Sequence, residues 1–486
     1  MQLKELFPNS LNANSKISSI ELDSRLVKNG SIFFALKGLV TDGEKFIDSA
    51  LEKGAIAIIC NSNCQNNNQR IIKVDNVYEV LISSLQKLYN NLPENILAIT
   101  GTNGKTSIAY FTAQIQEILG KKSASIGTIG IKVNDPEIQK ELTTFSLTTP
   151  DIASLYKNLA ILKQNGINDV VIETSSIGLE QKRIAGVRVK LGAFSNFTQD
   201  HLDYHGSMEK YFDCKMLLFK EVLKADDIAI LNADIVEFEN MKEISLKQKL
   251  RVFSYSSNQN NAIKSDISAS INNEEIRIFD KKYPFKITLA GDFQKANLIC
   301  ALLSVVAHYE LSESQIAFII KNLNQIKPAE GRMQKVGQLK NDAQIFIDYA
   351  HTPDALLNVL QTAKKMSHNN LRILFGCGGN RDKTKRQEMG KIACDLADFV
   401  IVSDDNPREE NAGEIRKEIL SACDLSKSIE IGDRKEAIIY AMSELKNDDI
   451  LILAGKGHEK YQVIGTENIE LDEEKIVEEF LKDNLI

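Results

Sequence analysis

The stretch Thr100-Gly101-Thr102-Asn103-Gly104-Lys105-Thr106-Ser107 has the composition of a phosphate cradle. It follows the apolar run Ile96-Leu97-Ala98-Ile99, which reads as a buried strand, and leads into a helical pattern over 106–119 closed by Gly120. Strand, glycine turn, Lys-Thr and helix together aim backbone N–H groups and a helix N-terminus at anionic oxygens. Glycine lets the backbone approach closely, and the helix end adds roughly half a positive charge. Lys105 would reach terminal phosphates and the Thr106 hydroxyl would hold Mg²⁺. The general pattern asks for a glycine five places before Gly104, where Ile99 stands, so the loop alone leaves an ordinary turn and helix start open.

Other reactive residues gather after apolar runs. Glu173-Thr174-Ser175-Ser176 follows the strand pattern at 169–172. A carboxylate at the carboxyl end of such a strand is a natural Mg²⁺ ligand. Asn196-Phe197-Thr198-Gln199-Asp200-His201-Leu202-Asp203-Tyr204-His205-Gly206 follows the strand pattern at 191–195 and holds two of the six histidines. Lys215 lies in a helical stretch over 208–223 among Tyr211, Met216, Leu218 and Phe219. A lysine there ordinarily snorkels to water. Further along, Asp348-Tyr349-Ala350-His351-Thr352-Pro353, Gly376-Cys377-Gly378-Gly379-Asn380-Arg381-Asp382, Ser403-Asp404-Asp405-Asn406-Pro407-Arg408 and Gly455-Lys456-Gly457-His458-Glu459 each follow a strand pattern. Four polar strand ends describe one binding edge. The glycine-rich loop lacks the third glycine of a dinucleotide fingerprint.

The elements that must position these groups are α/β units. Three domains are expected: a small α/β domain over 1–90, a P-loop domain with a parallel sheet over 91–327, and a Rossmann-like α/β domain over 328–486. Strands are expected at 31–36, 55–60 and 71–74, antiparallel hairpins over 266–289, a polar loop over 134–145, and a helix after Asp151, which caps it. At 486 residues, 43% hydrophobic and 26% charged, the chain has ample core and ordinary soluble composition. A net charge of −7 gives no field for nucleic acid. No run suits a membrane span or a signal peptide. Seven scattered cysteines suit free thiols in a reducing cytoplasm, with Cys60 and Cys64 structural.

Taken in order, Asp-Ser-Arg at 23–25, Gly-Thr-Asn-Gly-Lys-Thr, Thr-Thr-Pro at 148–150, Glu-x-Ser-Ser, Asp-His-Leu-Asp-Tyr-His-Gly, Tyr-x-x-x-Lys-x-x-Leu-Phe at 211–219, Asp-Tyr-Ala-His-Thr-Pro, Asn-Arg-Asp, Asp-Asn-Pro-Arg and Gly-Lys-Gly-His-Glu resemble the Mur ligase family over nearly the whole chain. The resemblance implies a cytoplasmic, monomeric, ATP-dependent ligase of peptidoglycan precursor synthesis. It would add meso-2,6-diaminopimelate to the D-glutamate γ-carboxylate of UDP-N-acetylmuramoyl-L-alanyl-D-glutamate through an acyl phosphate. Gly101, Thr102, Asn103, Gly104, Lys105, Thr106 and Ser107 would bind ATP, with Asn297 at the adenine, Arg332 at the phosphates and Asp348 at the ribose. Thr106, Glu173, His201 and a carbamate on Lys215 would hold Mg²⁺, and Lys105, Lys215, Glu173 and His201 would serve catalysis. Leu22, Ser24, Leu39, Val40 and Thr41 match the uridine-diphosphate end of the substrate site. Thr148, Thr149, Ser175, Gln181 and Arg183 match its sugar-peptide part. Arg381, Asp405, Asn406, Pro407, Arg408, Gly455 and Glu459 match the diaminopimelate site.

Physics favours diaminopimelate over L-lysine. Arg408 can take the additional carboxylate bidentately, whereas lysine would leave a buried guanidinium unpaired at a cost on the order of 3–5 kcal/mol. The chain departs from the family pattern at Leu147, Ile177, Asn380 and Glu44, which bears on local substrate contacts near 147 and 177. The alternatives are a lysine-adding ligase, a folylpolyglutamate synthase, and an inactive nucleotide-binding regulator. Asp-Asn-Pro-Arg disfavours the first, the substrate-side motifs the second, and the intact Lys105, Thr106, Glu173, His201 and Lys215 the third. His205 and His351 are both candidates to accept the proton of the amine.

Overall fold

The computed structural model describes residues 1–38, 41–145, 147–257, 268–271, 275–279, 281–284, 289 and 291–483. The chain forms two compact units: Met1–Ile96 with Lys122–Val170 and Ile177–Val189, and Leu97–Lys121 with Val171–Ser176 and Lys190–Ile486.

In the first unit, Ser19–Glu21, Ser31–Phe34, Ala57–Asn61 and Ile71–Val74 pair in chain order as a parallel sheet. The strand expected over 31–36 stops at Phe34, because the Leu36 amide turns back onto Phe34 O. Phe33, Ile58, Ala50 and Cys60 build the core, with Cys64 buried beside them. All seven thiols are free. The polar stretch expected to be a loop at 134–145 contains a helix, Pro136–Glu141, and the strand Gly130–Val133 precedes it. Asp135 caps that helix and Pro136 opens it, a start signal stronger than the local polarity. Asp151 caps Ile152–Gln164 by accepting from the amides of Ala153 and Ser154, as expected.

In the second unit the P-loop strand, Asn95–Thr100, lies between Asp169–Glu173 and Val189–Phe194. Ile228–Asn232 and Arg251–Ser256 extend the sheet in parallel. Ser268–Ile271, Glu275–Ile278 and Lys281–Pro284 follow, the last two pairings antiparallel. Their expected turns at Asn272-Asn273 and Asp280 lie outside the described residues. Helices Lys105–Ile118 and Asp292–Tyr309 bury Ile108, Phe111, Leu298 and Leu302 against this sheet. The helix expected over 208–223 is Met208–Leu217 continued by a π-helical turn, Leu218–Val222.

A second sheet runs in the order Gln334–Gln338, Gln344–Asp348, Ile450–Ala454, Leu371–Phe375, Phe399–Val402, Ser428–Glu430. All its pairings are parallel except the first. Alternate residues of the same strands enter two cores: Phe346, Ile373 and Ile452 on one face, Ile345, Leu374 and Leu451 on the other. A parallel sheet covered on both faces needs such continuous apolar strands. Ile450–Ala454 is inserted between two earlier strands, and a crevice opens beyond the carboxyl ends where strand order switches in this way. The four polar strand ends named from sequence lie at that edge. Sequence patterning missed an antiparallel hairpin, Tyr461–Ile464 with Glu467–Glu470. Among the described residues no helix is long and apolar enough to cross a membrane.

Candidate active site

The P-loop turns on two glycines that nothing else could replace. Gly104 has φ +84° and Gly101 φ +135°; a Cβ would lie 2.4 Å from Asn297 Oδ1 at the first and 1.9 Å from Ser195 Oγ at the second. Asn196 shapes the loop from the neighbouring strand end, its backbone O accepting from Thr102 N at 2.9 Å and its Oδ1 from Asn103 N at 2.7 Å. Lys105 folds back on its own loop and donates to Gly101 O (2.9 Å) and Thr102 O (2.6 Å).

Lys215 reaches the same carbonyl. Its Nζ donates to Gly101 O at 2.7 Å and sits 4.2 Å from the Tyr211 ring centre. It is 1% exposed, so the usual snorkelling does not occur. Burial first, and then the neighbouring Lys105 charge, push its pKa well below 10.5. Burial likewise lowers Lys105. Two amines on one carbonyl thus favour a neutral Lys215.

Thr106 Oγ1 donates to Glu173 Oε2 at 3.0 Å and accepts from Arg332 Nη2 at 2.9 Å. His201 adopts a left-handed backbone, φ 53°, and its Nε2 lies 3.5 Å from Asp200 Oδ2. A buried hydroxyl and a buried carboxylate already in contact are oxygen donors of the kind a hard divalent cation takes. Asn297, expected at the adenine, is buried against Gly104 and donates to Gln294 Oε1 at 2.9 Å. Asn103 Nδ2 donates to Asp354 Oδ2 (2.8 Å), which ties the P-loop to helix Pro353–Met366 of the second sheet.

Asp348 accepts from the amides of Met333 and Ala350, both at 2.7 Å. Burial raises its carboxyl from 3.8 to about 6, against the pull of Arg332 and those amides. The fold therefore holds a proton that the unfolded chain has released in this interval. This group's contribution favours the fold on the acid side and is lost as pH rises through about 6. Relative to Asp348→Asn, the wild type is expected to gain on the order of 1 kcal/mol from about pH 8 to about pH 5. Paired denaturation curves at the two pH values measure it.

The crevice of the second sheet is a cavity lined by Asp200, His201, Asp203, Tyr349, His351, Cys377, Gly378, Arg381, Asp382, Lys385, Asp405, Asn406, Arg408, Gly455 and Glu459. Six of the seven expected amino-acid-site residues line it. Pro407 does not, and instead its carbonyl packs so tightly on Gly379 that a Cβ there would lie 1.9 Å away. Arg408, with φ 52°, donates from Nη1 to Gly379 O at 2.8 Å. Arg381 lies 3.7 Å from Asp203. His201, one of the four candidate metal ligands, opens onto the same cavity together with Asp200. The two candidate histidines separate. His351 lines the cavity, holds Nδ1 2.8 Å from Tyr349 O, and is lowered by burial to about 4; His205 is buried on Ser176 Oγ at 2.9 Å, away from the cavity. Tyr349 and Cys377 come to the cavity with their strand-end motifs, whereas Lys385 was not expected at the site. Lys385 donates to His351 O at 2.9 Å, and its place three residues after Asp382 was the only hint.

In the first unit Arg183 joins two other expected residues, donating to Thr149 O at 2.8 Å and to Gln181 Oε1 at 2.7 Å. Thr148 Oγ1 accepts from Thr128 at 3.1 Å. Ser24 is buried, its carbonyl taking Lys53 Nζ at 3.1 Å, and Leu22 is half-buried. Thr41 is exposed, and Leu39 and Val40 lie outside the described residues. Ser175 follows Glu173 at its strand end in the second unit. Among the departures, Leu147 is exposed and Asn380 takes a left-handed φ of 53°.

Family models match along the chain: "Mur ligase family, catalytic domain" at 16–99, "Mur ligase middle domain" at 99–305 and "Mur ligase, glutamate ligase domain" at 331–457. The sequence is similar to the UDP-N-acetylmuramoyl-L-alanyl-D-glutamate–2,6-diaminopimelate ligase of Rickettsia bellii, 42% identical over 479 residues, 98% of this chain and 97% of the relative. The ligase of the same name from Bradyrhizobium diazoefficiens is 37% identical, with 98% of each covered. A solved structure of a ligase of that name is 30% identical, with TM-score 0.65 over 100% of this chain and 99% of the other. MurF ligase from Thermotoga maritima in complex with ADP, 18% identical with TM-score 0.63 over 97% and 98% of the two chains, shares the fold.

Proposed function

The chain belongs to the Mur ligase family, and from that premise we propose that it joins meso-diaminopimelate to the D-glutamate γ-carboxylate of UDP-N-acetylmuramoyl-L-alanyl-D-glutamate at the expense of ATP. The observation that carries this reading is the cavity in which Arg381, Asn406, Arg408 and Glu459 face the strand end bearing Asp200 and His201. A basic fork for a carboxylate and an acid for an ammonium thus stand beside the phosphate loop.

A carboxylate is a poor electrophile, and its oxygen a poor leaving group. Phosphoryl transfer from ATP makes the γ-carboxylate an acyl phosphate, whose leaving group is phosphate. The P-loop amides and Lys105 spread the charge of the transferring group. Asn297, Arg332 and Asp348 hold the nucleotide. Thr106, Glu173, His201 and Lys215 as a carbamate would hold Mg²⁺, which supplies electrostatic stabilisation of the phosphate oxygens. A neutral, buried Lys215 suits the carbamate: its lone pair adds to CO₂, one proton leaves, and an oxygen-donor anion results. Arg408 and Arg381 hold the distal carboxylate and Glu459 the distal ammonium, so that the other amine attacks the acyl phosphate and expels phosphate. His351 takes the amine's proton: its Nδ1 hydrogen is committed to Tyr349 O, which leaves the Nε2 lone pair as the basic site. The UDP-sugar peptide is held by Ser24, Thr41, Thr148, Thr149, Gln181 and Arg183. The enzyme acts as a cytoplasmic monomer.

Phosphate release from ATP plus the UDP-muramoyl dipeptide tests this reading. It is expected to require meso-diaminopimelate and to ignore L-lysine. Release that needs lysine instead overturns the substrate assignment, and no amino-acid-dependent release overturns the ligase.

A further inference from the structure

Lys456 is 0% exposed and lies beside the amino-acid cavity without lining it. Its Nζ donates to Asn406 Oδ1 and to Glu459 Oε2, both at 2.8 Å. Asn406 Nδ2 donates to the same Glu459 oxygen at 3.1 Å, and Val463 N donates to Asn406 Oδ1 at 2.9 Å. These partners fix the amide without ambiguity. An ammonium and a backbone N–H can only donate, so the carbonyl oxygen faces them; a carboxylate can only accept, so the NH₂ faces Glu459. Both bonds to Glu459 fall on Oε2. Val463 belongs to the hairpin absent from the sequence reading, and the hairpin also accepts from Arg408 N through Val463 O at 3.0 Å.

On the reading that diaminopimelate occupies this cavity, we infer that Lys456 is a positioning residue for it, fixing which atoms of Asn406 and Glu459 meet the amino acid. By occupying Glu459 Oε2, the buried cation turns the other carboxylate oxygen to the ligand's ammonium. By facing Asn406 Oδ1, it keeps the amide from reversing. Without Lys456, Glu459 would lose the donor that anchors Oε2 and could rotate toward water. A buried charge-assisted triangle of this kind sets geometry more than it adds stability.

Lys456→Met tests the inference in the full-length protein. Wild-type phosphate release is measured first; if it does not depend on diaminopimelate, the functional reading fails and the assignment of the cavity with it. Given that dependence, the KM for diaminopimelate is expected to rise about 10- to 100-fold, the scale of one lost hydrogen bond to a charged group. The KM for ATP should stay unchanged and kcat within about threefold. Combining Lys456→Met with Glu459→Gln should cost little more than Glu459→Gln alone, because one acts through the other. Lys456→Gln, which keeps one donor, should fall between Lys456→Met and wild type and serves as the test if the methionine variant does not fold. An unchanged diaminopimelate KM, equal losses toward ATP, or additive effects in the double variant would overturn the inference.

Discussion

Lys215→Ala is expected to lower turnover by roughly 10²- to 10³-fold, the scale on which removal of one preorganised electrostatic group acts. ADP binding should persist, because the Asn196 bonds that shape the loop and the Lys105 bonds to Gly101 O and Thr102 O do not involve this side chain. Added bicarbonate should restore nothing, since the nitrogen that captures CO₂ is gone. The expectation rests on burial. A lysine held on the Gly101 carbonyl, 1% exposed and next to Lys105, is pushed toward the neutral form that a carbamate requires. Were it only a structural cation, alanine would lower stability and leave turnover per folded molecule intact. Steady-state kcat normalised to ADP-binding sites separates the outcomes, and an undiminished kcat would defeat the carbamate.

Arg408→Ala should reduce kcat/KM for meso-diaminopimelate by about 10²- to 10³-fold, the cost of leaving a carboxylate without its half-buried partner. Arg408→Lys should recover little, because a single ammonium cannot reproduce the planar fork. The local backbone sharpens the point. Arg408 sits at a left-handed φ, held by Val463 O and by its own bond to Gly379 O, so the guanidinium is aimed by the fold. The ratio of diaminopimelate to L-lysine utilisation should collapse in the alanine variant. A variant that keeps the wild-type preference would show that another residue reads the distal carboxylate.

The strand-end motifs were legible because charge and glycine concentrate where apolar runs stop. That pattern brought Arg381, Asp405, Asn406, Arg408, Gly455 and Glu459 to one cavity from three separate loops. The P-loop was legible despite Ile99, because strand and helix flank it. What sequence could not give was tertiary burial. Lys215 reads as a snorkelling lysine until Gly101 O is placed over it. Lys456 reads as a loop charge until Asn406 and Glu459 enclose it. The hairpin Tyr461–Ile464 with Glu467–Glu470 is short and largely polar, so no alternation marks it; its reason lies in the 405–408 loop it braces. The helix Pro136–Glu141 was missed for a different reason: general polarity was weighed above the Asp-Pro capping signal.

The central place of Ile450–Ala454 in the second sheet has a consequence for how the protein is made. Its neighbours, Gln344–Asp348 and Leu371–Phe375, leave the ribosome much earlier, yet neither can pair with the other in the finished order. Until residue 454 emerges, both present apolar edges with open backbone groups, the condition that invites mispairing between nascent chains. Such long-range parallel pairing is also slow. This sheet therefore depends on protection during translation, and a message cut short before codon 450 would release a chain whose sheet is split down its middle.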